Sequence, residues 1–167
     1  MDSIFRQVTS YRLFNHFLPG TIFCIFSDYA LGTSFNALGI IETIVAYYVV
    51  GLILSSIGAI IVEPLSMFTG IIPKRESYTN FVKSSKEDAK LDVLVEEANM
   101  FRTLCSTLLC GLILLLINFS WPGFMSEPNS LVTVALIILL PALSFASWRK
   151  QSFYVTNRVK SNTEEQG

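Results

Sequence analysis

The sequence is poor in charge, histidine and cysteine. Only 15% of its 167 residues are Asp, Glu, Lys or Arg, whereas a soluble domain carries about 25%. Its one histidine, His16, has no cysteine or carboxylate at ligand spacing, so it cannot build a metal site alone. Cys24, Cys105 and Cys110 all lie in apolar stretches and form no even, spaced set, which argues against a disulfide framework.

Signatures of catalysis are also missing. The sequence has no glycine-rich phosphate loop, no nucleophile with a histidine partner and no paired-acid site on a soluble scaffold. We therefore expect neither enzymatic activity nor a cofactor. The net charge of −1 gives no overall bias toward nucleic acid or acidic lipid, so either partner would have to bind a local patch.

What the sequence does contain is long hydrophobic segments. Its residues are 51% hydrophobic with a mean hydropathy of +0.52, and four apolar segments span residues 17–36, 40–67, 103–119 and 131–148. In the second segment, Glu42 and Glu63 enclose twenty uncharged residues, and a helix would separate them by roughly 31 Å, about the thickness of a bilayer's hydrocarbon core. The pattern predicts an all-α polytopic membrane protein with four transmembrane helices. For the first segment, a cleaved signal peptide is the alternative.

The distribution of positive charge predicts the topology. All twelve Lys and Arg residues fall in three places, which are Arg6 and Arg12; Lys74, Arg75, Lys83, Lys86, Lys90 and Arg102; and Arg149, Lys150, Arg158 and Lys160. The turns at 31–39 and 120–130 contain none. By the positive-inside rule, both termini and the 69–102 segment are cytosolic.

This topology divides the chain into four parts. They are the N-terminus with spans one and two (1–68), a cytosolic helical insertion (69–102), spans three and four (103–149) and a cytosolic C-terminal extension (150–167). Ser84 and Ser85 each precede an acid by three residues, which predicts a helix start there and a helix running into the third span. The fourth helix should likewise extend inward. Because such short projections cannot bury a core alone, we expect a shared helical layer in a homo-oligomer.

Polar and small residues at membrane depth are candidates for lining a pore: Asp28, Glu42, Gly51, Ser55, Gly58 and Glu63. Repeated around a ring, the outer acids Asp28 and Glu42 would favour cations, although both also suit simple placement at the interface. The small-residue stripe Gly51, Ser55 and Gly58 suits either a pore wall or tight packing inside one subunit. Glu63-Pro64 should end the second helix at the inner face, where Glu63 would either contact neighbouring cations or ring an inner gate.

A basic cluster with aromatic residues follows the second apolar segment, and its candidate ligand-binding residues are Lys74, Arg75, Tyr78, Lys83, Lys86 and Lys90. Such a cluster beside a membrane often only fixes topology and contacts lipid headgroups. Positive charge with stacking rings is also what single-stranded nucleic acid binds.

Four stretches carry a family resemblance: LPG at 18–20, GLILSSIGAIIVEPL at 51–65, YTNFVKSSKEDAKLDVLVEEANMFRTL at 78–104 and SWRKQSFYVTNRV at 147–159. They resemble small four-helix membrane proteins of bacterial anti-phage defence loci, most closely the effectors of the Hailong system and next the membrane component of the Kiwa system.

The resemblance to the Hailong effectors implies a homotetrameric ion channel in the bacterial inner membrane. Its cytosolic crown, here residues 69–102, would hold single-stranded DNA oligomers made by a partner nucleotidyltransferase, and the basic and aromatic residues would contact that DNA. Loss of the DNA would open the channel and arrest growth. The resemblance to Kiwa implies instead a non-conducting anchor or sensor that recruits a soluble partner.

Overall fold

The computed structural model describes residues 15–28, 39–119 and 131–164, and every regular element in these ranges is a helix. The helices are α1 (15–28), α2 (Ile40–Ile57), α3 (Glu63–Phe68), α4 (Tyr78–Glu87), α5 (Lys90–Phe119) and α6 (Leu131–Glu164). A π-helical segment, Gly58–Val62, joins α2 to α3. The described residues thus confirm the predicted all-α class. Arg6, Arg12 and the two predicted outer turns, apart from Gly39, lie outside these ranges.

Two helices of the described part are long and apolar enough to cross a membrane, Ile40–Phe68 and Lys90–Leu116. In the most apolar part of the first, only 22% of the residues are buried, and Ile40, Ile41 and Ile60 are each more than 70% exposed. A contiguous apolar surface of this kind is typical of a membrane-facing or partner-facing helix. Length and composition therefore give weak support to a membrane location.

The second apolar segment stays helical through Pro64, so the prediction that Glu63-Pro64 ends the helix is wrong. The preceding turn is a π-helix in which the Glu63 N–H donates to the Gly58 carbonyl. Pro64 then lies in the first turn of α3, where its missing N–H is not needed. The helix ends after Phe68, and Gly70 has a φ of +71°.

The helix predicted to start at Ser84 or Ser85 and to run into the third span is instead two helices, because α4 starts earlier, at Tyr78, and α5 starts later, at Lys90. The hydroxyl of Ser77 accepts a hydrogen bond from the Asn80 N–H at 3.3 Å and caps α4 at its true start. Ser84 is buried instead, and its hydroxyl donates to the Val159 carbonyl of α6 at 3.4 Å. Asp88 interrupts the helix and accepts a hydrogen bond from the Lys90 N–H at 3.1 Å, which starts α5.

The long helices α5 and α6 form the frame of the molecule. They run antiparallel, since Gln151 of α6 donates to Glu97 of α5 at 2.7 Å, and Arg158, further along α6, contacts Asp88, which precedes α5. The predicted inward extension of the fourth helix is confirmed, since α6 runs from Leu131 to Glu164, whereas the predicted run from Ser84 into the third span holds only from Lys90 onward. Between them lies a small core of Ile72, Cys105 and Trp148, and α4 packs on both helices.

Two glycines bring α1 into backbone contact with α2. A Cβ on Gly20 would lie 1.8 Å from the Tyr47 carbonyl oxygen, and one on Gly51 would lie 1.7 Å from the His16 carbonyl oxygen. Neither position has room for a side chain. Small residues permit this close approach, the usual way in which helices pack in lipid.

Candidate functional site at the end of the second helix

Glu63 lies at the junction of the π-helical segment and α3, and only 8% of its surface is exposed. Its Oε1 accepts a hydrogen bond from Arg75 Nε at 2.5 Å, and its Oε2 accepts one from Arg102 Nη1 at 2.7 Å. Two guanidinium groups therefore neutralise one carboxylate. Of the two roles considered for Glu63, the structure shows contact with cations, and the inner-gate role stays a prediction.

The two arginines differ in burial. The side chain of Arg102, on α5, is 10% exposed, whereas that of Arg75, in the segment before α4, is 65% exposed. Because a charge buried in a protein is costly unless it is paired, Arg102 depends on Glu63 more than Arg75 does. The network ties α3, the 69–77 segment and α5 together.

A cavity of about 410 Å³ adjoins this network and lies among α4, α5 and α6. Its wall is mainly apolar and aromatic and includes Ile72, Phe81, Val95, Trp148 and Val159. Polar groups also line it, among them Glu63, Arg75, Asn99, Ser152 and Thr156. The volume and the mixture of apolar walls with a few polar groups are typical of small-molecule sites.

The predicted ligand-binding residues are all exposed, and together they form what we call the basic surface: Lys74, Arg75, Tyr78, Lys83, Lys86 and Lys90. On α4, however, Phe81 and Ser84 face the bundle, whereas Lys83 and Lys86 are exposed. Tyr78, 81% exposed, is the ring of this surface that solvent reaches most freely. The structure thus separates the lysines of α4 from the Phe81 ring.

Side-chain pairs attach α4 and its flanks to α6. Asp88 accepts a hydrogen bond from Arg158, and Lys160 lies 3.6 Å from Glu76. The hydrogen bond from the Arg158 guanidinium holds the pKa of Asp88 below its usual value, with the Lys90 N–H adding to the effect. These pairs fix the polar end of the helical bundle.

The outer acids occupy different surroundings. Glu42 accepts a hydrogen bond from the Gly39 N–H at 2.6 Å and so caps the N-terminus of its own helix. Asp28 is partly buried at the last described position of α1. Pore roles for both stay predictions, although Glu42 already has a structural role.

The small-residue stripe of α2 packs against helices of the same chain. Gly51 contacts α1, the hydroxyl of Thr103 donates to that of Ser55 at 3.3 Å, and a Cβ on Gly58 would lie 3.3 Å from that of Ser106. Packing inside one subunit, one of the two interpretations, accounts for all three positions. A pore-lining role for them stays a prediction.

Sequence reasoning missed Arg102 as the partner of Glu63, and it missed the polar stripe on α5. Thr103, Ser106 and Thr107 are buried next to Arg102, and the Ser106 hydroxyl donates to the Leu54 carbonyl at 2.9 Å. The signal was available, because a cation at the edge of an apolar segment requires a counter-ion at the same depth. Glu63 is the carboxylate at that depth.

In the described ranges, no group of three His, Cys, Asp or Glu side chains is placed to hold a metal ion. Comparison with protein-family models, with curated proteins and with solved structures gives no match.

Proposed function

We propose that this protein is a membrane effector of bacterial anti-phage defence. In this proposal it is a homotetrameric ion channel of the inner membrane, and a single-stranded DNA oligomer bound to its cytosolic layer holds it closed. The observation that carries the proposal is the exposed basic surface, which lies directly after a helix able to span a membrane. The resemblance to the Hailong effectors supplies the channel and its ligand.

The proposed topology has four spans, with both termini and the basic surface in the cytosol. Two of the spans lie within the apolar helices Ile40–Phe68 and Lys90–Leu116, and the others are the first and fourth apolar segments, 17–36 and 131–148. The confinement of Lys and Arg to one side supports this orientation. The cytosolic layer then consists of α4, the start of α5 and the end of α6, held together by pairs such as Arg158 with Asp88.

A polyanion suits the basic surface because its lysines are exposed and uncommitted. Among the described residues, no carboxylate forms an ion pair with Lys83, Lys86 or Lys90. Lysines neutralise phosphates and release counter-ions, and Tyr78 provides a ring on which a base can stack. A partner nucleotidyltransferase would supply the oligomer.

The ligand is tested with the double variant Lys83→Glu and Lys86→Glu. Its affinity for a fluorescent DNA oligomer, measured by anisotropy at several salt concentrations, should be lower and less dependent on salt, because each lost phosphate contact removes about 0.7 from the logarithmic slope. Lys150→Glu, an exposed lysine of α6 outside the basic surface, is the matched control. Equal binding by the double variant and the control would exclude DNA as the ligand.

The channel is tested by conductance of the purified protein in planar bilayers. Current should flow without the oligomer and stop when it is added, and Asp28→Asn should reduce the current without changing the assembly. Unchanged current in Asp28→Asn would count against its role in a pore.

A non-conducting membrane sensor or anchor, which recruits a soluble defence partner, is the second candidate. It is favoured by the structural roles that other pore candidates already have, since Gly51, Ser55 and Gly58 pack inside the chain and Glu63 is paired with two arginines. Oligonucleotide binding without conductance, in the presence or absence of the oligomer, would select this function.

A further inference from the structure

The cavity beside Glu63 contains polar groups that the fold does not use. Arg75 donates its Nε–H to Glu63, but its two Nη groups form no hydrogen bond with any described residue. The same holds for the side-chain amide of Asn99 and the hydroxyl of Ser152, which also line the cavity. These residues line a cavity whose walls are mainly apolar and aromatic.

The charges around the cavity favour an anion. Two carboxylates line it, Glu63 and Glu76, but Glu63 is paired with Arg75 and Arg102, and Lys160 lies 3.6 Å from Glu76. Three cations thus accompany two carboxylates. The exposed end of Arg75 carries the forked N–H groups that bind carboxylates and phosphates in a bidentate manner.

We propose that this cavity binds the acyl chain of an anionic amphiphile, with the carboxylate or phosphate head at Arg75. The chain would lie between α4, α5 and α6 against Phe81, Val95 and Trp148. The cavity lies just past the end of α3, which in the proposed topology is the level of the inner lipid headgroups. A fatty acid and an anionic phospholipid share this chemistry. The site requires neither conductance nor DNA binding, so it goes beyond the proposed function.

Trp148 is a reporter inside the cavity, and the sequence contains only one other tryptophan, Trp121. In the Trp121→Phe variant, purified in detergent, we would titrate three probes with brominated acyl chains: a fatty acid, phosphatidylglycerol and phosphatidylcholine. Bromine quenches indole fluorescence at short range. We expect saturable quenching by an anionic probe at a concentration about tenfold lower than for phosphatidylcholine, and the stronger of the two anionic probes identifies the source of the head.

Three further substitutions in this background separate the site from general contact with detergent or lipid. Arg75→Gln should weaken binding of the anionic probe about tenfold, whereas Lys150→Gln, which removes an exposed cation of α6 that does not line the cavity, should leave it unchanged. Ser152→Phe places a ring in the cavity and should abolish the saturable phase. Circular dichroism and the emission maximum of Trp148 verify the fold of each variant.

Equal quenching by all three probes would overturn the proposal, and so would full quenching in Ser152→Phe. An unaltered affinity for the anionic probe in a folded Arg75→Gln variant would show that Arg75 does not bind an anionic head. If Arg75→Gln does not fold, the comparison of probes and the Ser152→Phe variant still decide the outcome. A failure here leaves the DNA-binding and conductance tests untouched, because those use other residues and other readouts.

Discussion

At the scale of single residues, the Glu63 carboxylate is the most consequential group in the described part of the chain. It connects α3 to Arg75 and to Arg102 over sequence separations of 12 and 39 residues. Buried ion pairs of this kind add little stability compared with apolar packing, but removal of one partner leaves the other charge buried and uncompensated. Arg102, whose side chain is only 10% exposed, is the partner that would be left buried without a counter-ion.

Glu63→Gln should therefore destabilise the protein strongly. We expect a loss of about 3–5 kcal/mol, which corresponds to a drop in Tm of roughly 10 °C for a chain of this size, measured by thermal unfolding in detergent. Glu76→Gln is the control, because Glu76 has a more exposed partner at a longer distance, and it should change Tm little. Equal drops in Tm in the two variants would show that the Glu63 network stabilises the protein no more than the Glu76–Lys160 pair does.

The glycine contact between α1 and α2 gives a second prediction at this scale. Gly51→Ala puts a methyl group where the His16 carbonyl oxygen lies, so the helices must separate at a cost of about 1–3 kcal/mol. In Gly111→Ala, the new Cβ would lie 3.4 Å from the ring of Phe26, a contact that the ring can accommodate. The unfolding midpoint should fall in Gly51→Ala only. A larger fall in Gly111→Ala would refute the close contact of Gly51 with α1.

At the scale of elements, Asp88 is where three helices meet. It ends α4, caps α5 through the Lys90 N–H and contacts Arg158 of α6. Its pKa is lowered in the folded protein because Arg158 stabilises the ionised form. When the pH falls, the unfolded chain binds this proton first, so the stabilisation is complete above the usual pKa near 3.8 and is lost as pH falls through the lower folded value.

Asp88→Asn should flatten this acid response. Asparagine can still cap α5, but it does not titrate, so the difference in Tm between the parent and the variant should shrink as the pH falls from 6 to 3. The parent protein is measured over the same pH range as the reference, because the other carboxylates titrate in both proteins and their effect cancels in the difference. A difference that stays constant over this range would mean that the Asp88–Arg158 pair does not contribute.

How far the sequence predicted these elements depends on the range of the interactions that define them. The helical extensions of the third and fourth apolar segments into the polar layer were predictable, because periodicity and the lack of helix-breaking residues are properties of the segment itself. The start of α4 was not, since Ser84 has the spacing of a capping residue but is buried against Val159 of α6, and Ser77 is the cap. The candidate ligand-binding residues are exposed, and their role stays a prediction, whereas the Glu63–Arg102 pair required knowledge of which helices meet.

At the scale of the whole molecule, the proposed topology places all Lys and Arg residues on one side of the bilayer. The exposed apolar surface of α2 and the polar contacts beyond Phe68 are consistent with a chain that is partly in lipid and partly in water. Orientation decides whether the basic surface can meet a cytosolic polyanion.

Cysteine labelling in spheroplasts tests this orientation. Lys86→Cys should be labelled by a membrane-impermeant maleimide only after the membrane is broken, whereas Ser126→Cys, in the outer turn predicted at 120–130, should react in intact spheroplasts. Of the native cysteines, Cys24 and Cys105 are buried and Cys110 is half-buried, and the unsubstituted protein measures their background. Labelling of position 86 in intact spheroplasts would show the opposite orientation and would exclude a cytosolic ligand for the basic surface.

The unbroken course of α5 has a mechanical consequence. At ~1.5 Å per residue its 30 residues form a rod of roughly 45 Å, with Asp88 just before one end and the Leu54 contact of Ser106 near its middle. Because an α-helix is stiff over this length, a tilt of about 5° would displace its two ends by roughly 4 Å relative to each other. A displacement of the start of α5 would therefore also move the part of this helix that contacts Leu54 of α2, without any change in secondary structure.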